Sequence, residues 1–154
     1  SLAIDLPRLY LPSDNAELAL WSRDVQTAVD FLAARPEVRA GSIGVAGASL
    51  GATLAAMAAA ASPSVRSLVL VSPSLDYRGL RIEAAMRQLG DRPALMLASL
   101  HDPYAARSVR ELAKGGPGVR ETRWSEVAAH GTNLLSGQPD LVRALVDWFQ
   151  RTLG

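Results

Sequence analysis

Short apolar runs alternate along this chain with longer segments of helical periodicity, and this alternation restricts the fold more than any other feature. The run Ser67–Ser72 carries no charge and is β-branched at alternate positions, as strands covered on both faces tend to be. Further strands are predicted at Leu2–Leu6, Ser42–Ala46, Ala94–Leu100 and Val119–Trp124. The pattern predicts an α/β fold, a three-layer α/β/α sandwich around a mainly parallel sheet.

The segments between these strands have the spacing of crossover helices. Apolar residues recur at helical intervals over Asp14–Ala34, and either Ser13 or Asp14 stands where an N-cap is expected. The remaining helices are predicted at Leu50–Ala61, Arg81–Leu89, Tyr104–Ala113 and Leu141–Leu153. With 154 residues and no internal repeat, the chain is predicted to form a single domain over residues 1–154.

Composition narrows the classes of partner. Sixteen basic and fifteen acidic residues nearly cancel, and the arginines are scattered along the chain, so neither nucleic acid nor an anionic membrane surface is expected as a partner. The absence of cysteine excludes a disulfide framework and a thiolate zinc site, and leaves the compartment open. We therefore expect a small or neutral partner.

One short motif points to chemistry. Gly47-Ala48-Ser49-Leu50-Gly51 matches G-x-S-x-G, and it follows a predicted strand and opens a predicted helix, as a nucleophile elbow does. A strained turn would expose the Ser49 hydroxyl, a side chain at either Gly47 or Gly51 would collide with backbone, and the N–H of Leu50 would stabilise an oxyanion. The alternative is a chance match in a chain rich in Ala, Gly and Ser. The strand-to-helix context favours the nucleophile.

A serine hydroxyl needs a base, and the chain has only two histidines. His130 lies in a loop of small residues between the last predicted strand and the closing helix, and it follows the serine and the candidate acids in the order that this elbow requires. It is the predicted base, the alternative being an ordinary surface histidine. His101 is expected at the rim of the site.

Two aspartates are candidates for the acid that orients the imidazole. Asp102 directly follows the strand Ala94–Leu100, at the sheet edge where the elbow also opens, and is the favoured acid. Asp76 follows the strand Ser67–Ser72 in a similar position and is the alternative acid. Either residue can instead be a capping aspartate.

With these residues, the sequence resembles the α/β-hydrolase family, and within it the small bacterial esterases and the dienelactone-hydrolase-like or prolyl-peptidase-like members. "SIGVAGASLG" looks like the fifth strand and its elbow, "SLVLVSP" like the sixth strand, "PALMLASLHDPY" like the seventh with the acid, and "AAHGTNLL" like the histidine loop. The resemblance implies core strands four to eight, with Leu2–Pro7 as the fourth. Only Ser74–Asp91 lies where the family often inserts a lid, so no large lid is expected.

The sequence also departs from that family. Ser49 stands where true dienelactone hydrolases have cysteine, and Asp5–Tyr10 lacks the usual glycine-rich run. No segment corresponds to the third strand and its loop, which supplies the second oxyanion donor. The resemblance therefore implies an N-terminally incomplete fold, in which a missing N-terminal segment or a second copy, as a homodimer, would pair at the open sheet edge.

These residues predict a serine hydrolase that cleaves carboxylic esters of small substrates through an acyl-enzyme. Ser49, His130 and Asp102 would form its triad, with no metal or organic cofactor. A peptidase or thioesterase on the same triad remains an alternative, because a triad does not specify the leaving group. A non-catalytic, incomplete scaffold that acts as a binding module is the alternative from another class.

Overall fold

The computed structural model describes residues 1–4, 14–39 and 41–154. In chain order the elements are α1 (Asn15–Ala33), β1 (Ile43–Ala48), α2 (Leu50–Ala61), β2 (Val65–Val71), β3 (Asp76–Tyr77), β4 (Leu80–Arg81), α3 (Glu83–Gln88), β5 (Ala94–Ser99), α4 (Pro103–Leu112), β6 (Arg120–Ser125), a 3₁₀ turn (Gly131–Leu134) and α5 (Pro139–Leu153). None of the described helices is both long and apolar enough to cross a membrane.

A parallel sheet organises the described residues, with the strand order β1-β2-β5-β6. The predicted mainly parallel sheet is therefore confirmed. The predicted first strand is not observed: Leu2 to Ile4 lie outside any strand, and Asp5 and Leu6 lie outside the described residues. Consequently β1, which leads into Ser49, is an edge strand of the described sheet, and pairing of that edge with another segment or a second copy stays a prediction.

Two layers of helices cover the sheet, because side chains of the central strands alternate between its faces. Leu68 and Leu70 of β2 pack into a core with α2, α3 and α4. Val69 and Val71 of the same strand pack on the opposite face with the 3₁₀ turn and α5, around the buried Trp148. Helix α1 packs against α2, which begins at the elbow. This is the predicted three-layer sandwich.

Polar side chains stabilise the start of α1 and the end of α2. Asp14 is the N-cap of α1, and its carboxylate accepts a hydrogen bond from the Glu17 N–H at 2.9 Å, whereas Ser13 lies outside the described residues. Arg92 Nη1 lies 2.7 to 2.8 Å from the carbonyl oxygens of Ala59, Ser62 and Val65, where α2 turns into β2. Burial lowers the pKa of the Arg92 guanidinium below its usual range, although it stays charged.

A small hairpin, β3–β4, precedes the predicted helix in a stretch where no strand was predicted, and α3 begins at Glu83 instead of Arg81. Its two-residue turn has positive φ at Arg78 (51°) and Gly79 (86°), the geometry of a type I′ hairpin. Asn is the usual first residue of such a turn, and arginine at that position hides the signal in the sequence. The hairpin and α3 together fill the stretch between β2 and β5.

Candidate active site

The site begins at the turn between β1 and α2. Ser49 has φ 53° and ψ −119°, a left-handed conformation that is strained for a residue with a side chain. Its N–H donates to the Val71 carbonyl at 2.9 Å, and its carbonyl accepts from the Ala52 N–H at 2.9 Å, so the turn is fixed to both β2 and α2. Ser49 occupies the N-cap position, yet its hydroxyl makes no capping hydrogen bond. The hydroxyl therefore stays available for another partner.

The two glycines of the motif differ in their steric role. A Cβ at Gly47 would lie 2.0 Å from the Gly51 carbonyl oxygen and 2.8 Å from the Ala52 nitrogen, so only glycine fits there. Apart from its chain neighbours and the backbone of its own helix, a Cβ at Gly51 would meet no described atom within 4 Å. The expectation that a side chain at Gly51 would collide with backbone is therefore wrong. The steric restriction lies at Gly47, because the backbone carbonyl of Gly51 approaches it closely.

The imidazole of His130 links Ser49 of the elbow to Asp102. Its Nε2 lies 2.8 Å from Ser49 Oγ, and its Nδ1 lies 2.5 Å from Asp102 Oδ2. With the proton on Nδ1, the ring donates to the carboxylate and accepts from the serine hydroxyl. The His130 side chain is 55% exposed and that of Asp102 only 16%, so the imidazole is open to solvent and the carboxylate is sheltered.

Asp102 is both a helix cap and the partner of the imidazole. Its Oδ1 accepts a hydrogen bond from the Ala105 N–H at 3.1 Å as the N-cap of α4, while Oδ2 faces His130. The capping bond fixes the carboxylate rotamer that aims the second oxygen at the ring. The two interpretations that the sequence left open for Asp102 therefore describe one arrangement.

Asp76 and His101, the other two candidate residues, take no part in the hydrogen bonds that link Ser49, His130 and Asp102. Asp76 Oδ1 accepts from the Gly79 N–H at 2.6 Å inside the β3–β4 hairpin, so the alternative acid is a turn-stabilising residue. The Tyr104 hydroxyl donates to the Asp76 carbonyl at 3.0 Å, which ties the hairpin to the first turn of α4. His101 is exposed, with Nε2 3.8 Å from a Glu126 carboxylate oxygen.

Three buried serines, which sequence analysis missed, bind the loop that carries His130. Ser72 Oγ accepts from the Gly131 N–H at 3.0 Å, Ser99 Oγ donates to the Val127 carbonyl at 2.7 Å, and Ser125 Oγ accepts from the Val127 N–H at 3.0 Å. They are between 0% and 4% exposed. Each ends or directly follows a strand, so a serine at the end of a buried strand was the available signal. We call Ser72, Ser99 and Ser125 the strand-end serines.

A backbone donor and an apolar groove lie close to the elbow. Leu50 is the first residue of α2, so its N–H belongs to the positive end of that helix. An apolar groove of about 220 Å³ runs beside β1 and is lined by Leu2, Ile4, Val25 and residues of β1 and α2. None of Ser49, Asp102 and His130 lines this groove. The imidazole thus opens to solvent elsewhere.

The comparisons with known proteins agree with this geometry at the level of the fold. The family described as BAAT / Acyl-CoA thioester hydrolase C terminal matches residues 25–86, which include the elbow. No curated protein matches the sequence.

Among solved structures, the chain is similar to a dienelactone hydrolase from Anabaena variabilis, with a TM-score of 0.74 at 19% identity over 89% of this chain and 62% of that one. It is similar to the esterase domain of a Rhodothermus marinus protein, with a TM-score of 0.71 at 21% identity over 86% and 69%. An acetyl xylan esterase from a Paenibacillus species gives a TM-score of 0.72 at 18% identity over 88% and 53%.

These likenesses define the fold. The chain has the α/β-hydrolase fold, as its motifs predicted, and spans 62% of the Anabaena enzyme's length. Within that fold it is similar to esterases and to the thioester-hydrolase family named above.

Proposed function

We propose that this chain is a serine hydrolase that cleaves carboxylic esters of small substrates, with Ser49 as nucleophile, His130 as base and Asp102 as the orienting acid. The observation that carries the proposal is the continuous hydrogen-bonded chain from Ser49 Oγ through both ring nitrogens of His130 to Asp102. A chance G-x-S-x-G match gives no reason for residues 49, 102 and 130 to converge within hydrogen-bonding distance.

In the proposed first step, Ser49 Oγ attacks the ester carbonyl carbon while His130 Nε2 takes the hydroxyl proton. The carbonyl π electrons move to oxygen, and the Leu50 N–H stabilises that oxyanion. Collapse of the tetrahedral intermediate breaks the bond to the alkoxy group, which leaves as an alcohol after taking the proton from Nε2. Asp102 stabilises the imidazolium in between, without itself taking the proton.

In the second step, water attacks the acyl group on Ser49, and the same nitrogen removes and returns the proton. The exposure of His130 supports this step, because water reaches the base without displacing any described element. The short stretch between β2 and β5 also favours an open site that admits small esters.

A thioester is the second candidate substrate, and the match to the acyl-CoA thioester hydrolase C-terminal family favours it. The triad would act identically, with a thiol in place of the alcohol as leaving group. A peptidase is a further possibility on the same machinery, but an amine leaving group needs more help from the acid step. The non-catalytic scaffold remains the contrasting proposal.

Turnover of p-nitrophenyl acetate and of acetyl-CoA by the purified chain tests the proposal. Ser49→Ala should reduce kcat by at least about 10³-fold, since removing one member leaves only a small part of a triad's effect. Ser136→Ala, at an exposed serine outside the site, is the matched control and should leave kcat unchanged. A wild-type chain with no turnover would favour the scaffold, and turnover that survives Ser49→Ala would contradict the role of Ser49 as nucleophile.

A further inference from the structure

We infer that Ser72, a residue outside the triad, is a positioning residue that holds the His130 loop over the nucleophile; this inference rests on the proposed function. Ser72 is 1% exposed, and its hydroxyl accepts a hydrogen bond from the N–H of Gly131, the residue that follows His130. Its role would be to set the distance between the imidazole and Ser49.

Ser72 can do this because the same strand end also holds the elbow. The carbonyl of Val71 accepts from the Ser49 N–H, and the next residue, Ser72, binds the Gly131 N–H through its side chain. The Ser72 N–H donates to the Leu97 carbonyl at 2.7 Å, so this point is anchored to the neighbouring strand β5. Two consecutive residues of one rigid strand end thus bind the nucleophile turn and the base loop.

Gly131 begins the 3₁₀ turn, whose Leu134 is buried in the core, but the residues before Gly131 are held by fewer contacts. The segment Glu126–His130 has no helix or strand, and the His130 side chain is more than half exposed, so packing restrains the ring weakly. The other strand-end serines, Ser99 and Ser125, bind the loop at Val127, three residues before His130. Ser72 provides the buried hydroxyl anchor on the other side of the histidine.

The backbone conformation of Ser72 argues that the hydroxyl matters. Its φ is 47°, in the left-handed region that favours glycine and penalises a residue with a Cβ. A glycine would relieve this strain but would leave the buried Gly131 N–H without its partner, which carries a desolvation cost. A side chain retained at a strained position points to a function of that side chain.

The matched control lies on the same strand. Ser67 is also fully buried, and its Oγ lies 2.8 Å from the Thr152 hydroxyl, at the opposite end of β2 from the triad. Ser67→Ala and Ser72→Ala each remove one buried, hydrogen-bonded hydroxyl. We expect both to lower the melting temperature by a few degrees, so that stability alone does not distinguish them.

The experiment compares kcat and KM for p-nitrophenyl acetate among Ser72→Ala, Ser72→Gly, Ser72→Thr and Ser67→Ala. Displacing a reacting group by about 1 Å can cost on the order of 100-fold, so Ser72→Ala and Ser72→Gly should lower kcat by about 10- to 100-fold, with KM within about twofold. Ser72→Thr keeps the hydroxyl and should retain most of kcat, although its β-branch strains the turn further. Ser67→Ala should retain kcat.

A second measurement does not depend on turnover. The NMR signal of the His130 Nδ1 proton, shifted downfield by its hydrogen bond to Asp102, and slow exchange of the Gly131 amide should persist in Ser67→Ala. Both should be lost or weakened in Ser72→Ala. If Ser72→Ala matches Ser67→Ala in kcat and retains both signals, the inference is overturned. Absence of Ser49-dependent turnover in the wild type would overturn the proposed function instead, and the two signals would then decide the role of Ser72.

Discussion

The contrast between the two glycines of the elbow gives the most quantitative prediction. In Gly47→Ala the new Cβ would sit 2.0 Å from the Gly51 oxygen, 2.4 Å from the Gly51 carbon and 2.8 Å from the Ala52 nitrogen. These are backbone atoms, so the start of α2 must move by about 1 Å or more to approach normal contact distances. Overpacking of this kind costs about 1–3 kcal/mol. The same shift carries Ser49 away from His130, which should reduce kcat/KM by about 100-fold.

Gly51→Ala is the matched control, because its Cβ meets no described atom within 4 Å beyond its chain neighbours and its own helix backbone, and alanine is the better helix former. We expect it to raise the free energy of unfolding by up to about 1 kcal/mol. Urea unfolding followed by tryptophan fluorescence, together with ester turnover, measures both effects. If Gly47→Ala were as stable and as active as Gly51→Ala, the steric account of the elbow would be refuted.

Three further predictions concern other parts of the account. Asp102→Asn should lower kcat by about 10⁴-fold, because the neutral amide favours the wrong imidazole tautomer, whereas Asp76→Asn should change ester turnover by less than about threefold. Arg92→Met should lower the free energy of unfolding by about 2–4 kcal/mol in urea titrations, since four carbonyls lose a charged donor, and a loss below about 0.5 kcal/mol would contradict this. Asp14→Ala should cost about 1 kcal/mol in the same titration through loss of the α1 cap, with Asp24→Ala as a control in the middle of the helix.

The spacing of apolar residues, together with the glycines and prolines between the apolar runs, was sufficient to predict most of the fold. The run Ser67–Ser72 has the composition of a strand buried on both faces. All of it lies in β2 except Ser72, which directly follows that strand. The sequence did not predict the β3–β4 hairpin. Its strands are only two residues long, and Arg78 takes the left-handed position that Asn or Gly usually occupies.

For the site, the sequence predicted which residues the structure brings together, but not how they are supported. Asp102 appears in the sequence either as a cap or as an acid, and only the three-dimensional arrangement reveals that its two oxygens divide these tasks. Ser125 is only two residues from its partner Val127, whereas Ser72 and Ser99 lie 59 and 28 residues from their partners in the loop, and these long-range pairings are set by the order of strands in the sheet. Sequence spacing carries no record of them.

Covalent trapping of the nucleophile tests the central claim most directly. The wild-type chain, treated with a fluorophosphonate, should gain one label, and fragmentation of the tryptic peptide 40–66 should locate it on Ser49. Ser49→Ala should abolish the label, and His130→Gln should slow its formation by orders of magnitude, because the hydroxyl then lacks its base. Equal labelling of wild type and Ser49→Ala, or a label on another serine of that peptide, would contradict the account.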